Sequence, residues 1–323
     1  MKVAVVADLQ AHAYPAFSRI LPSGRNSRLQ HGIDALNFAV DQADGGYLVV
    51  LGDLFEDRRS LSIDVLDAVT EAIQAASGRL KGIRIIAGNH DQFFRDGSVT
   101  SLRHFEGFPN VRVVYDTLSE VVDGVPWHFA AFQQDADRVR QWIKGIPSGG
   151  VLCLHQAMLG AEADGGFIYE NANSLAVGDV RPHDFSHVLV GHFHKPQSLA
   201  ENVHYLGSPY QIKMNELGEV KRIAVVEGKP PVLTWVPVTG IPTFRRIRAD
   251  DFDRLSEEER SLHFWEVEGI PTHVPDNARL KPEPKPAITY SSSCSDFPSA
   301  AREWLTAKGH GDRLLQLAQS FLP

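Results

Sequence analysis

Several residues of metal-binding type in this chain stand directly after short apolar runs. The runs are AVVADLQ at 4–10, LVVLGDLFEDR at 48–58, RIIAGNHD at 84–91, VLCLHQ at 151–156 and VLVGHFH at 188–194. Asp8, Asp53, Asn89, His90, His155, His192 and His194 therefore fall just past the C-terminal ends of strand-like segments. In layered α/β folds that is where loops converge on a ligand. Carboxylates, imidazoles and an amide oxygen meeting there suit divalent metals of hard to borderline character. One position is irregular: Gln10 stands two after Asp8, where a ligating His is expected. Taken singly, each residue has a plainer reading. Asp8 alone is a cap or turn residue, Gly52-Asp53 is a common turn pair, and His192 and His194 merely share a face of an extended segment. The joint pattern is what points to chemistry.

The elements that must position these residues are legible in outline. Val3–Ala7, Tyr47–Leu51 and Ile83–Ala87 read as buried strands. Between them, 26–43 and 61–76 carry apolar residues at helical spacing. A strand–helix–strand series implies right-handed crossovers and a mostly parallel sheet. From residue 111 short strands dominate, at 111–115, 120–122, 127–132, 151–155 and 188–191, with a helix over 134–143. Segments 205–206, 223–226 and 232–236 are expected to close a second strand-rich layer. Residues 1–237 thus read as α/β, two packed sheets flanked by helices. A small α+β capping module is expected over 238–270, with a polar helix at 250–260 and a strand at 263–267. A proline-rich linker follows over 271–296. A helical tail over 297–323 docks either on the body or on a partner.

Composition narrows the classes. Length 323 allows one large core plus a smaller domain, and 43% hydrophobic with 22% charged residues is an ordinary globular mixture. No apolar run is long enough to span a bilayer, and none resembles a signal peptide. Two cysteines, Cys153 and Cys294, lie far apart, which argues for a reducing compartment over a disulfide scaffold. Forty acidic against 32 basic residues give a net charge of −8, which disfavours tight nonspecific binding to nucleic acid by the body as a whole.

Together GDLFEDR, GNHD and GHFH make roughly residues 1–230 resemble the calcineurin-like metallophosphoesterase superfamily. That resemblance implies two divalent metals, with Asp8 and His194 on the first, Asn89, His155 and His192 on the second, and Asp53 bridging. It implies that His90 protonates the leaving oxygen or stabilises the transition state. Asp91 is then either a residue that orients His90 or a turn-stabilising carboxylate. Gln10 departs from the superfamily's Asp-x-His. Three readings stay open: Gln10 ligates weakly, a water fills the gap, or His12 swings in.

GDLFEDRRSLSIDVLDAV, and GHFHKPQSL followed by VHYLGSPYQIKMNELGEVKR, look like the SbcD-type DNA repair nuclease subunits of bacteria and phages. The implied activity is a manganese-dependent exonuclease, with magnesium the other candidate metal, acting also as an endonuclease on single strands or hairpins. The implied partners are DNA, an SMC-like coiled-coil ABC ATPase docked on the tail, and a second copy of the chain. The implied place is the cytoplasm of a bacterium or phage-infected host. Where some members carry a His just after the GDLF element, this chain has Glu56. Candidate substrate contacts are His12, Arg58, Arg59, Arg95 and Lys195, with Tyr14, Arg19 and Lys213 as further candidates. Each of these charges is equally readable as solvated surface. The rival readings are a stand-alone phosphoesterase on small phosphodiesters or phosphoproteins, and a metal-poor scaffold.

Overall fold

The computed structural model describes residues 1–282 apart from Arg95. In chain order the elements begin with β1 (Lys2–Val6), α1 (Ser27–Ala43), β2 (Tyr47–Leu51), α2 (Ile63–Arg79), β3 (Gly82–Ile86) and β4 (Val111–Val114). Next come β5 (Thr117–Val122), β6 (Val125–Ala130), α3 (Ala136–Gly145), β7 (Val151–His155), β8 (Glu162–Ala163) and β9 (Phe167–Ile168). Then follow β10 (His187–Gly191), β11 (Gln197–Ala200), β12 (Val203–Tyr205), β13 (Arg222–Glu227) and β14 (Val232–Pro237). The last are β15 (Thr243–Arg248), α4 (Ala249–Arg254), α5 (Glu257–Ser261), β16 (His263–Glu268) and β17 (Ala278–Leu280).

Two large mixed sheets form the body, ordered β14-β13-β1-β2-β3-β4 and β11-β12-β10-β7-β6-β5. Strands β1 to β4 run parallel, as do β12, β10, β7 and β6. The period-two alternation of a strand decides which residues join the two sheets. Val151 and Cys153 of β7 belong to the same apolar cluster as β1, β2 and β3. Leu152 and Leu154 face the other way and pack with Val139 and Ile143 of α3. Helix α1 starts where Asn26 accepts hydrogen bonds from the Arg28 and Leu29 amides. It buries Leu29, Ile33, Leu36 and Val40 as one stripe against the first sheet.

The two-sheet α/β architecture is as expected, with one reassignment. Segments 223–226 and 232–236 do not join the second layer. They form β13 and β14, which extend the first sheet by antiparallel pairing beside β1. A β-branched run declares a strand but not the sheet that receives it. The single polar helix expected over 250–260 is two short helices, because Ser256 and Glu259 form a capping box that starts α5 afresh. The expected linker also holds structure: β17 pairs with β16 from Trp265↔Ala278 to Val267↔Leu280. A three-residue strand is too short to show a period in sequence. The tail expected over 297–323 lies outside the described residues.

The module carrying β15, β16 and β17 has its own small core of Ala249, Phe252, Trp265 and Val267. Its other side packs Phe244 and Phe264 against Phe17, from the loop after β1. The buried Arg28 guanidinium lies over the Tyr14, Phe244 and Phe264 rings at 5.0, 5.3 and 4.7 Å. It also donates to the Ala16 and Ile212 carbonyls. The loop that starts with Asp8 and Gln10 is therefore held between the small sheet of β15, β16 and β17 and α1.

Candidate metal centre

The loops after β1, β2, β3, β7 and β10 bring the expected residues together. Past β1 the chain stays laced to the loop after β2: the Asp8, Gln10 and Ala11 amides donate to the Gly52, Asp53 and Leu54 carbonyls. Asp8, Gln10, Asp53 and His192 adopt left-handed backbone, with φ of 52°, 49°, 52° and 112°. Such conformations are strained for residues with a Cβ and gather at functional sites. Close approach explains two glycines. A Cβ at Gly88 would run into the Asp53 carboxylate and amide, and one at Gly52 into the His155 ring.

One group of donors is tight. Asn89 Oδ1 lies 3.1 Å from His155 Nε2 and 2.7 Å from His192 Nδ1. Asp53 Oδ2 lies 3.4 Å from His155 Nε2. The ligand atoms of Asp53, His155 and His192 all fall within 4.8 Å of one another. His155 Nδ1 donates to the Leu51 carbonyl at 2.6 Å, which turns Nε2 toward the cluster. Burial pushes the His192 imidazole down to about 3, so it presents a neutral donor. Burial works the same way on His155, but the Asp53 carboxylate overrides it and raises that imidazole to about 9.

A second group lies beside it. Asp8 is fully buried, and both its oxygens accept from the His192 amide at 3.0 Å. Burial pushes this carboxyl up to about 6, with His155 opposing the rise and the Asp53 charge adding to it. Gln10 is buried, with Nε2 3.1 Å from Asp53 Oδ2 and 3.4 Å from His194 Nε2. Its Oε1 is buried without a hydrogen-bond partner. A half-turn of the amide exchanges its oxygen and nitrogen and sets that oxygen among the donors. Convergent carboxylates and imidazoles, an orphaned amide oxygen and a strained backbone all fit divalent cations.

His90 is held by two hydrogen bonds to the loop after β2. Its amide donates to Asp53 Oδ1 at 2.8 Å, and its Nδ1 donates to the Glu56 carbonyl at 2.5 Å, leaving Nε2 for a substrate. Asp91, grouped with His90 in the sequence reading, does something else. Its buried carboxylate accepts from the Gly88, Phe55 and Leu54 amides at 2.9, 3.2 and 3.4 Å. It ties the loop after β3 to the loop after β2. The Glu56 carbonyl, not Asp91, orients His90.

His12 does not swing toward the metal group. Its Nδ1 pairs with Asp57 at 3.1 Å at the half-exposed rim. Arg58 is half-buried and Arg59 exposed, on the loop whose Glu56 carbonyl holds His90. Lys195 is paired with Glu162, which commits its charge. Lys213 is exposed, and Arg95 lies outside the described residues.

Sequence reasoning missed the support behind His194. Glu216 Oε1 lies 3.4 Å from His194 Nδ1, while Lys221 Nζ donates to the His194 carbonyl at 2.8 Å. Glu216 and Lys221 are both buried and pair at 2.8 Å. The Ser208 amide adds a second bond to the His194 carbonyl, at 3.0 Å. The signal was present in NELGEVKR, where a Glu and a Lys five apart are ordinary surface composition until the fold buries both. Glu216→Gln is expected to weaken metal binding at the His194 group roughly 10- to 100-fold. Calorimetric titration with Mn²⁺ checks this; an unchanged isotherm contradicts it.

Residues 1–196 match the calcineurin-like phosphoesterase family, and the chain belongs to it. The family is one of metal-dependent phosphoester hydrolases, and the Asp53, His155 and His192 group is one that could hold a divalent metal. The chain is also similar to "Exonuclease subunit 1" of Enterobacteria phage T4, at 23% identity over 220 residues, 64% of this chain and 62% of that protein. It thus spans less than two thirds of that relative. Among solved structures it resembles an archaeal phosphodiesterase at 11% identity and TM-score 0.37, over 74% of this chain and 100% of the other. It also resembles a hypothetical protein from Thermus thermophilus at 12% identity and TM-score 0.41, over 74% and 99%. Among the described residues no helix is long and apolar enough to cross a membrane.

Proposed function

We propose that this chain is a two-metal DNA nuclease of repair or recombination. It cleaves phosphodiesters from DNA ends and internally at single strands or hairpins, uses Mn²⁺, and works with an SMC-like coiled-coil ATPase. The similarity to a phage exonuclease subunit carries the nuclease part of this reading. Asn89, His155 and His192 would hold one metal and Asp8, Gln10 and His194 the other, with Asp53 available to both. When bound, such a pair lowers the pKa of a water and clamps the attacking and leaving oxygens of an in-line displacement.

The chain's own residues do the rest. Gly52 and Gly88 let the loops approach without a Cβ in the way. Asn89 contributes a neutral oxygen, which keeps the centre positive toward an anionic phosphodiester. His90 supplies a proton from Nε2 to the leaving oxygen as the bridging P–O bond breaks, while the attacking water gives up a proton to solvent and its oxygen bonds to phosphorus. It returns to a neutral imidazole whose Nδ1–H stays on the Glu56 carbonyl. Arg58 and Arg59 offer positive charge at the rim, where a DNA backbone would pass.

Gln10 makes the two metals unequal. An amide oxygen binds a divalent transition metal less well than imidazole, so the metal held with Asp8 and His194 exchanges more readily. Gln10→His is expected to tighten the weaker of two Mn²⁺ sites, read by the free-ion EPR signal during titration. No change in that site would refute the assignment of Gln10.

The full chain with Mn²⁺ is expected to degrade linear DNA, to stop on addition of EDTA and to resume when Mn²⁺ is restored. Brisk cleavage of bis-p-nitrophenyl phosphate with DNA left intact would instead identify a stand-alone phosphodiesterase. A chain that binds no divalent metal would be a scaffold.

A further inference from the structure

A cleft of about 270 Å³ opens directly beside the metal cluster, and Asn89 and His192 belong to both. The rest of its wall is unlike a groove for a phosphate backbone. Among the described residues no Lys, Arg, Asp or Glu lines it; its chemistry comes from the rings of Phe132 and Tyr169 and from amides, chiefly Gln133 and Gln156. Backbone phosphates are held by cations and amide N–H groups. A wall of rings and neutral amides instead fits a flat, uncharged group with hydrogen-bonding edges.

The wall is braced by contacts behind it. The Phe132 ring lies nearly parallel to His192, at 24° and 5.9 Å between centroids. The Phe132 amide donates to the Ala87 carbonyl at 2.8 Å, and its own carbonyl accepts from Gln92 Nε2 at 3.1 Å. Tyr169 is half-buried against Phe193. Gln156 directly follows the metal-group residue His155 and is 3% exposed. Its Nε2 donates to the Gln133 and Ala131 carbonyls at 3.3 and 3.5 Å. Gln133 is 8% exposed and donates Nε2 to Asp116 at 3.3 Å. Gln156 Nε2 is committed to two carbonyls and Gln133 Nε2 to one carboxylate. What the pair offers a ligand is chiefly its oxygens, which accept from N–H groups.

We infer that this cleft binds the nucleobase next to the scissile phosphate, which stacks on its aromatic wall and donates ring or amino N–H groups to the Gln133 and Gln156 oxygens. The inference rests on the phosphoesterase reading of the adjoining metal cluster. Stacking of a base on an aromatic side chain is tolerant of sequence because every base has a π-face. The subsite therefore distinguishes nucleotides from base-free phosphodiesters more than one sequence from another.

The test uses the full chain with Mn²⁺ and two esters with the same leaving group. One is the p-nitrophenyl ester of thymidine 5′-phosphate and the other is methyl p-nitrophenyl phosphate, which has no base. The nucleoside ester is expected to have the higher kcat/KM by roughly tenfold or more, through KM. Tyr169→Ala and, separately, Gln133→Leu are expected to pull the ratio of the two kcat/KM values toward one. Misfolding of a fraction of a variant lowers both rates together and leaves the ratio unmoved. A ratio near one in the unmodified chain, or a ratio that neither variant changes, overturns the base subsite while leaving the phosphoesterase standing. Failure to cleave either ester removes both.

Discussion

His90→Ala is expected to lower phosphodiester cleavage roughly 10²- to 10⁴-fold, the usual contribution of a positioned general acid, while both metals still bind. His90 gives its backbone amide to Asp53, while its ring Nδ1 is held on the Glu56 carbonyl. Alanine keeps the amide and removes only the ring held on the Glu56 carbonyl. The effect should depend on the leaving group. A p-nitrophenolate needs little protonation, so cleavage of p-nitrophenyl esters should fall less than cleavage of DNA. Equal losses on both substrates, or a loss of bound Mn²⁺ that parallels the loss of rate, would mean that His90 acts through the metals.

Asp91→Ala is expected to act differently, through stability. The carboxylate is buried and accepts three backbone amides, the shortest at 2.9 Å. Removing it strands those donors away from water, at a cost of about 1–3 kcal/mol for a well-formed bond and less for the 3.4 Å contact. A total loss of about 3 kcal/mol corresponds to a fall in Tm of roughly 6–12 °C for a domain of this size. The loops carrying Asp53 and Asn89 loosen with it, so metal affinity should fall and excess Mn²⁺ should recover part of the activity. If Asp91 instead oriented His90, Tm would hold and the pH–rate profile would move. A variant with unchanged Tm and a shifted profile would therefore reverse the assignment.

These two neighbours show where sequence stops being informative. Adjacent in GNHD, they invite a joint role, yet their side chains reach different partners. His90 turns to a carbonyl on the loop after β2, and Asp91 turns to amides of that same loop. Nothing in the local string says which, because the Glu56 carbonyl and the Leu54 and Phe55 amides come from a segment more than thirty residues away, although Asp91 also accepts from Gly88 in its own loop. Glu216 and Lys221 make the same point from the other side. A carboxylate and an ammonium in a polar stretch are ordinary until tertiary burial places them behind His194.

The sequence by itself determined the residue types that gather at the candidate centre, their order and the strand ends that carry them. Those follow from chemistry and from local periodicity: apolar runs make buried strands, and residues just past them face the loops. It also declared Gln10 as the irregular member. Only the tertiary structure decided which sheet receives β13 and β14, that β17 pairs with β16, and that Lys195 is committed to Glu162. It alone turned His12 outward to Asp57 and left the Gln10 oxygen buried without a partner. The physical reason is common to all of these. Strand pairing, ion pairing and hydrogen bonding to backbone are satisfied by whatever the fold brings near, and that proximity is written across the whole chain rather than in any one segment of it.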